Sequence, residues 1–107
     1  MALSDMTIAK TVDAVTLTAN TPVPVWTPAA GKRFVIQSFV VSSTVATNLR
    51  LLDASGLLMI VPLQAGVPLY VDISTENGVQ SALVGNALQA QSAVTTTING
   101  TFLGDEI

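Results

Sequence analysis

The chain runs to 107 residues, half of them hydrophobic and only 10% charged, with no cysteine, no histidine and a net charge of −3. That length suits one domain with one modest core, and the composition leaves no disulfide framework, thiolate nucleophile, imidazole base or Cys/His metal site. Four scattered cations form neither the basic stripe of a nucleic-acid binder nor a polybasic membrane patch.

Val, Ile and Thr account for 33 of the 107 residues, and these β-branched types suit a pleated strand better than a helix. Gly, Pro and Asn recur every eight to twelve residues, the spacing of strands in an all-β sandwich or barrel. Thr7–Leu17 is the first predicted strand, with Val15 and Leu17 alternating against Thr16 and Thr18. Asn20-Thr21-Pro22 turns the chain into a short extended stretch, Val23–Thr27, which Pro22 and Pro24 confine to an edge. After the turn Pro28–Gly31, Lys32–Ser43 is the strongest strand, with Phe34, Ile36 and Val40 on one face and Val35, Phe39 and Val41 on the other. Apolar residues on both faces mark a central strand or one covered by a partner.

Ala46–Asp53 alternates again, Leu49 and Leu51 opposing Arg50 and Leu52, and Asp53-Ala54-Ser55-Gly56 is a tight turn into Leu57–Leu63. Val67–Ile73 sets Leu69, Val71 and Ile73 against Tyr70 and Asp72, and a polar loop follows, ending in Asn77-Gly78. Val79–Val94 has helix-compatible composition, but Gly85-Asn86 splits it into two short predicted strands, Val79–Val84 and Ala87–Ser92. The last strand, Val94–Leu103, places Val94, Thr96, Ile98 and Phe102 on a common face before the short acidic end Gly104–Ile107. The expectation is an all-β fold: an antiparallel β-sandwich or jelly roll of about eight strands.

An average domain is about 25% charged, far above the 10% found here. Much of the outside is therefore Thr, Ser, Asn, Gln, Ala or apolar: either a Thr/Ser-coated β surface that is simply neutral or, the favoured reading, a surface covered by other copies or by another protein. The charged constellations carry little chemistry. Asp72 with Glu76, and Asp105 with Glu106, read as solvated loop acids rather than a glycosidase pair. Asp72–Asn77 lacks the ligand count and glycine of a calcium loop, and the glycines are dispersed at turns rather than gathered into a phosphate loop. Asn99-Gly100-Thr101 matches a glycosylation sequon, but the first residues do not read as a secretion signal, since Asp5 and Lys10 interrupt the apolar stretch. No cofactor is expected, and no catalysis. Trp26 reads as a cap on one open end of the core, as a protein contact or as a ring for a sugar to stack on. Candidate interface residues are Trp26, Lys32 and Arg33 at the entry to the strongest strand, and Phe39 and Val41 within it.

The block Pro28-Ala29-Ala30-Gly31-Lys32-Arg33-Phe34-Val35-Ile36-Gln37-Ser38-Phe39-Val40-Val41-Ser42 resembles small β-sandwich proteins from tailed-phage structural gene clusters. A Gly-Lys-Arg turn leads there into a long apolar strand. A polar segment, a second strand and a Gly-containing hairpin follow, here Asn48–Asp53 with Ser55-Gly56. The end is similar too: an Ala/Leu-rich segment, Gly85–Ala93, then a Thr-rich strand with Gly100-Thr101-Phe102 and an acidic tail. The likeness spans residues 20–107. It implies a capsid decoration (cement) protein: a jelly roll made in the host cytoplasm that sits on the outside of the phage head. Such proteins are commonly homotrimers, contact the major capsid protein and bind neither nucleic acid nor membrane. Residues 1–19, outside the likeness, are expected to be a first strand or an arm reaching onto the capsid. The alternative is a head-fibre or tail adhesin, or a carbohydrate-binding sandwich.

Overall fold

A computed structural model describes residues 8–73 and 78–107. The described residues contain nine strands: β1 (Ile8–Leu17), β2 (Val23–Trp26), β3 (Phe34–Ser43), β4 (Thr47–Asp53), β5 (Gly56–Leu63), β6 (Leu69–Asp72), β7 (Val79–Gln80), β8 (Leu88–Gln91) and β9 (Thr96–Glu106). They form two antiparallel sheets. One has the order β1-β9-β3-β6, with β7 also paired to β3; the other has the order β2-β8-β4-β5. With β7 set aside, this interleaving of early and late strands is the double Greek key of a jelly roll. The sandwich foreseen from strand spacing and β-branched content is therefore the fold. No helix among the described residues is long and apolar enough to cross a membrane.

The core lies between the sheets. Each strand sends alternate side chains into it: Leu49 and Leu51 from β4, Leu88 and Ala90 from β8, Ile98 and Phe102 from β9. Phe39 and Phe102, opposite each other on paired strands, bring their rings to 5.3 Å, and Trp26 and Phe34 meet at 5.8 Å. Rings at these separations add a favourable edge and face term to the area they bury.

Four expectations need correction, each for a local reason. In β3 the register against β9 shifts between Ile36 and Ser38, so Gln37 is an extra residue. The bulge inverts the alternation. Phe34, Ile36, Phe39 and Val41 thus all face the core, while Val40 lies on the outer surface, instead of Val40 sharing a face with Phe34. Second, Val79–Val84 is strand only at Val79–Gln80; Ser81 Oγ then donates to the Leu83 carbonyl and the chain turns. Third, the acidic end is no tail. β9 continues through Glu106, which pairs with Phe34, and Arg33 and Ile107 exchange backbone hydrogen bonds beyond it. At the other end of β9, Val94 falls before the strand and is exposed, away from the face shared by Thr96, Ile98 and Phe102.

β1 contains a second bulge, at Asp13-Ala14, where Ala14 takes φ 49°. This left-handed conformation is unusual for alanine. The amide N–H of Ala14, turned out of the ladder, donates to Asn99 Oδ1 at 2.8 Å. The residues read as a first strand or an arm thus include an edge strand, Ile8–Leu17, paired along β9. Met1–Thr7 lie outside the described residues, as do Ser74–Asn77 of the polar loop.

Candidate interaction surfaces

Two carboxylates, Asp53 buried and Glu106 half-buried, hold the loop end at which β9 finishes. Asp53 closes the β4–β5 hairpin; its Oδ1 accepts the Ser55 N–H at 2.8 Å, as Asp does in an Asx turn. Its Oδ2 accepts the Ala82 N–H at 2.9 Å and Asn86 Nδ2 at 3.3 Å, tying the hairpin to the β7–β8 connection. Burial works to raise the Asp53 pKa, but the converging donors outweigh it and hold the carboxyl below its ordinary value. Glu106 does similar work beside it. Its Oε2 accepts the Trp26 indole N–H at 2.8 Å and its Oε1 accepts the Ala29 N–H at 3.0 Å. The Trp26 bond first, then the Ala29 bond and the field of Lys10 and Lys32, lower its pKa against a smaller effect of burial.

These contacts settle the placement of the candidate interface residues. Trp26, Phe39 and Val41 are buried in the core and packed within the chain; of the readings of Trp26 the cap on the core agrees with this placement, while Phe39 and Val41 are corrected from surface to interior. For Trp26 the reason is specific, since it is stapled to Glu106 across the sandwich. Lys32 is exposed in the turn before β3, where its carbonyl accepts the Gly85 N–H, and Arg33 is half-buried against the chain end. The five residues therefore do not form one patch. Of the other candidates, Asp72 is exposed on β6, whereas Ser74 and Glu76 fall outside the described residues. Asn99 is occupied by the Ala14 N–H. Among the described residues, no group of three or more His, Cys, Asp or Glu is placed to hold a metal ion.

The surfaces that remain are the outer faces of the two sheets, and directly opposed residues in a ladder share a face. On the β1-β9-β3-β6 sheet one row reads Thr11, Thr101, Val40, Tyr70 and the next Ala9, Leu103, Ser38, Asp72. On the β2-β8-β4-β5 sheet the central row is Gln91, Arg50, Ile60. There Asn48, Arg50, Ile60 and Gln91, with Asn20 and Ala93 at the rim, border an open groove of about 390 Å³. Gln91 Nε2 donates across it to the Asn20 carbonyl at 3.0 Å. The four loops at the opposite end from Glu106 (residues 18–22, 44–46, 64–68 and 92–95) contain no charged residue. Val45, Val67 and Val94 are exposed there, above a network of hydroxyls in which Ser43 Oγ and Thr96 Oγ1 lie 2.6 Å apart.

Arg50, Ile60, Val40 and Tyr70 were not singled out from sequence as interface residues. For Arg50 and Tyr70 the signal is nonetheless present, because Arg50 alternates with buried Leu49 and Leu51 and Tyr70 with half-buried Leu69 and Val71. Val40 was masked by the bulge at Gln37.

No protein-family model matches the chain, and no curated protein matches it in sequence.

Proposed function

We propose that this chain is a virion structural protein: a capsid decoration protein that self-associates on the outside of a phage head and stabilises contacts between capsomers. The observation that carries the reading is the poverty of charge on the outer sheet faces and at one whole loop end. A small domain that lives alone in water is better served by a charged surface. One that works under contact with copies and with a shell needs neutral, apolar and hydroxyl-rich faces. The resemblance of residues 20–107 to phage-head sandwich proteins supplies the kind of shell. The alternative as a sugar-binding module loses tryptophan as its platform, because Trp26 is interior, and is left with one exposed ring, Tyr70.

The test is co-sedimentation with heads of the cognate phage assembled without this protein. The reading expects saturable binding at a fixed ratio to the major capsid protein. Absence of binding at micromolar protein overturns it.

A further inference from the structure

Each sheet of the sandwich ends in two edges, whose outer backbone groups pair with another chain unless something stops them. Among the described residues, three of the four edges are guarded. β1 is broken by the bulge at Asp13-Ala14 and carries Lys10 and Asp13. β2 is four residues long, with Pro24 inside it and a register shift beside that proline. β6 is also four residues long, follows Pro68, and shares its side of β3 with the two-residue β7. The fourth edge differs. β5 is eight residues long, pairs with β4 alone and contains no charged residue. Leu57 is 51% and Ile60 47% exposed along it. Its register shift falls between Leu57 and Met59, which leaves Met59–Leu63 regular.

We propose that β5 pairs antiparallel with β5 of a second copy, about a two-fold axis at Ile60, joining two four-stranded sheets into one of eight. Pro62 sets the register. Proline has no N–H, so in a ladder its nitrogen faces away from the paired strand, here β4 across the Asn48 pair. Hydrogen-bonding direction alternates along a strand, so Ile60, two residues before Pro62, also turns its N–H and C=O outward. Opposite its own copy, Ile60 exchanges two backbone hydrogen bonds and forms a β-branched cross-strand pair. Each Pro62 then falls towards the end of the pairing, opposite Leu58 of the other chain.

A second copy suits this edge on charge, closure and size. β5 brings no charge, and Arg50 lies one strand back in each copy, opposite Ile60. The two guanidinium groups therefore stand three strand spacings apart, about 14 Å, beyond the ~8 Å screening length of physiological salt. Each chain offers one such edge, so the pairing is complete at two copies and does not propagate. That number differs from the trimer implied by the phage resemblance. Eight residues make an edge about 26 Å long, and the smallest dimension of the molecule is 21 Å. At most about 1,100 Å² is then buried over both copies, near the lower limit of a specific interface, so the dimer is weak and concentration-dependent. The contact gives the self-association in the proposed function a surface and rests on that part of it, not on the capsid.

The chain has no cysteine, so single-cysteine variants of the full chain report the contact directly. Across a hydrogen-bonded antiparallel pair the Cα atoms are about 5.5 Å apart, within disulfide range. Ile60→Cys is expected to form a linked dimer under mild oxidation at least about tenfold faster than Thr11→Cys on the guarded β1 edge, because a paired thiol meets its partner at high effective concentration. In light scattering, the wild-type mass is expected to rise with concentration from one towards two times 11.1 kDa. Ile60→Lys sets two ammonium groups directly opposite each other and is expected to raise the dissociation constant at least about tenfold. Ile60 and Thr11 are both exposed, and circular dichroism with urea unfolding verifies the fold of each variant. A wild type monomeric at every soluble concentration, an assembly of three, or equal cross-linking of the two cysteine variants overturns the inference. A monomer that still binds heads overturns the dimer and leaves the capsid role standing; a dimer that ignores heads does the reverse.

Discussion

Replacing Asp53 by Asn removes one charge and one acceptor from a buried junction while conserving volume. The carboxylate gathers the Ser55 N–H, the Ala82 N–H and the Asn86 amide. An asparagine keeps one carbonyl oxygen for its backbone donors, Ser55, Ala82 and Gly56, and turns its own NH₂ towards at least one of them. A hydrogen bond to a charged acceptor contributes about 1.5–3 kcal/mol, and a buried donor left without one costs about 1–3 kcal/mol. Ser55 and Ala82 are themselves exposed, so water recovers part of the loss. The expected net cost is about 2–3 kcal/mol, which at about 4–8 °C per kcal/mol for a domain of this size lowers Tm by roughly 10–20 °C. Urea unfolding followed through the fluorescence of Trp26, the one tryptophan, measures it directly. The pH dependence gives a second check. Because the folded-state pKa of Asp53 is depressed, its stabilisation is present above the ordinary carboxylate range near pH 4 and is lost as pH falls through the folded value. Asparagine does not titrate, so the gap between the proteins narrows in acid. A gap under about 0.5 kcal/mol at pH 7, or one that stays constant to pH 2, refutes the reasoning.

Three further outcomes follow from the same geometry. Gly104→Ala is expected to cost about 2–3 kcal/mol by chemical denaturation, because its Cβ would run into the Val35 carbonyl and lie 3.2 Å from Trp26 Cη2; an unchanged midpoint contradicts the packing described. Gln37 is fully buried at the β3 bulge, and neither its Nε2 nor its Oε1 has a partner among the described residues. Gln37→Met should therefore raise stability by about 1–2 kcal/mol, and a measured loss would show that the amide is satisfied. Trp26→Phe retains a ring beside Phe34 but strips Glu106 of its largest pKa-lowering contact. NMR titration should find the Glu106 pKa higher in that variant than in the wild type; an unmoved value refutes the staple.

Strand positions were legible because alternation survives wherever one face is buried. β4 announces Arg50 by setting it between Leu49 and Leu51, and β8 does the same with Gln91 after Ala90. The hairpin at Asp53–Gly56 was legible from turn chemistry alone. The faces of β3 were not. A bulge is one extra residue in the pairing, set by the partner strand, and nothing in Phe34–Ser43 by itself tells where the ladder slips. That slip moved Phe39 and Val41 from surface candidates to core, and left Val40 outside. Glu106 looks like a tail residue in sequence because its partners, Trp26 and Ala29, are 80 and 77 positions away. Chain-end acids carry no local mark of such a contact. The low charge content was visible at once. Which residues share an outer sheet face needed the strand order.

The proposed role is to strengthen a phage head from the outside. The most direct measurement is the temperature at which DNA-filled heads lacking the protein release their DNA, with and without the protein added back to saturation. An upward shift of several degrees that saturates with bound protein is the expected result. Heads that bind the protein but release DNA at an unchanged temperature would contradict it.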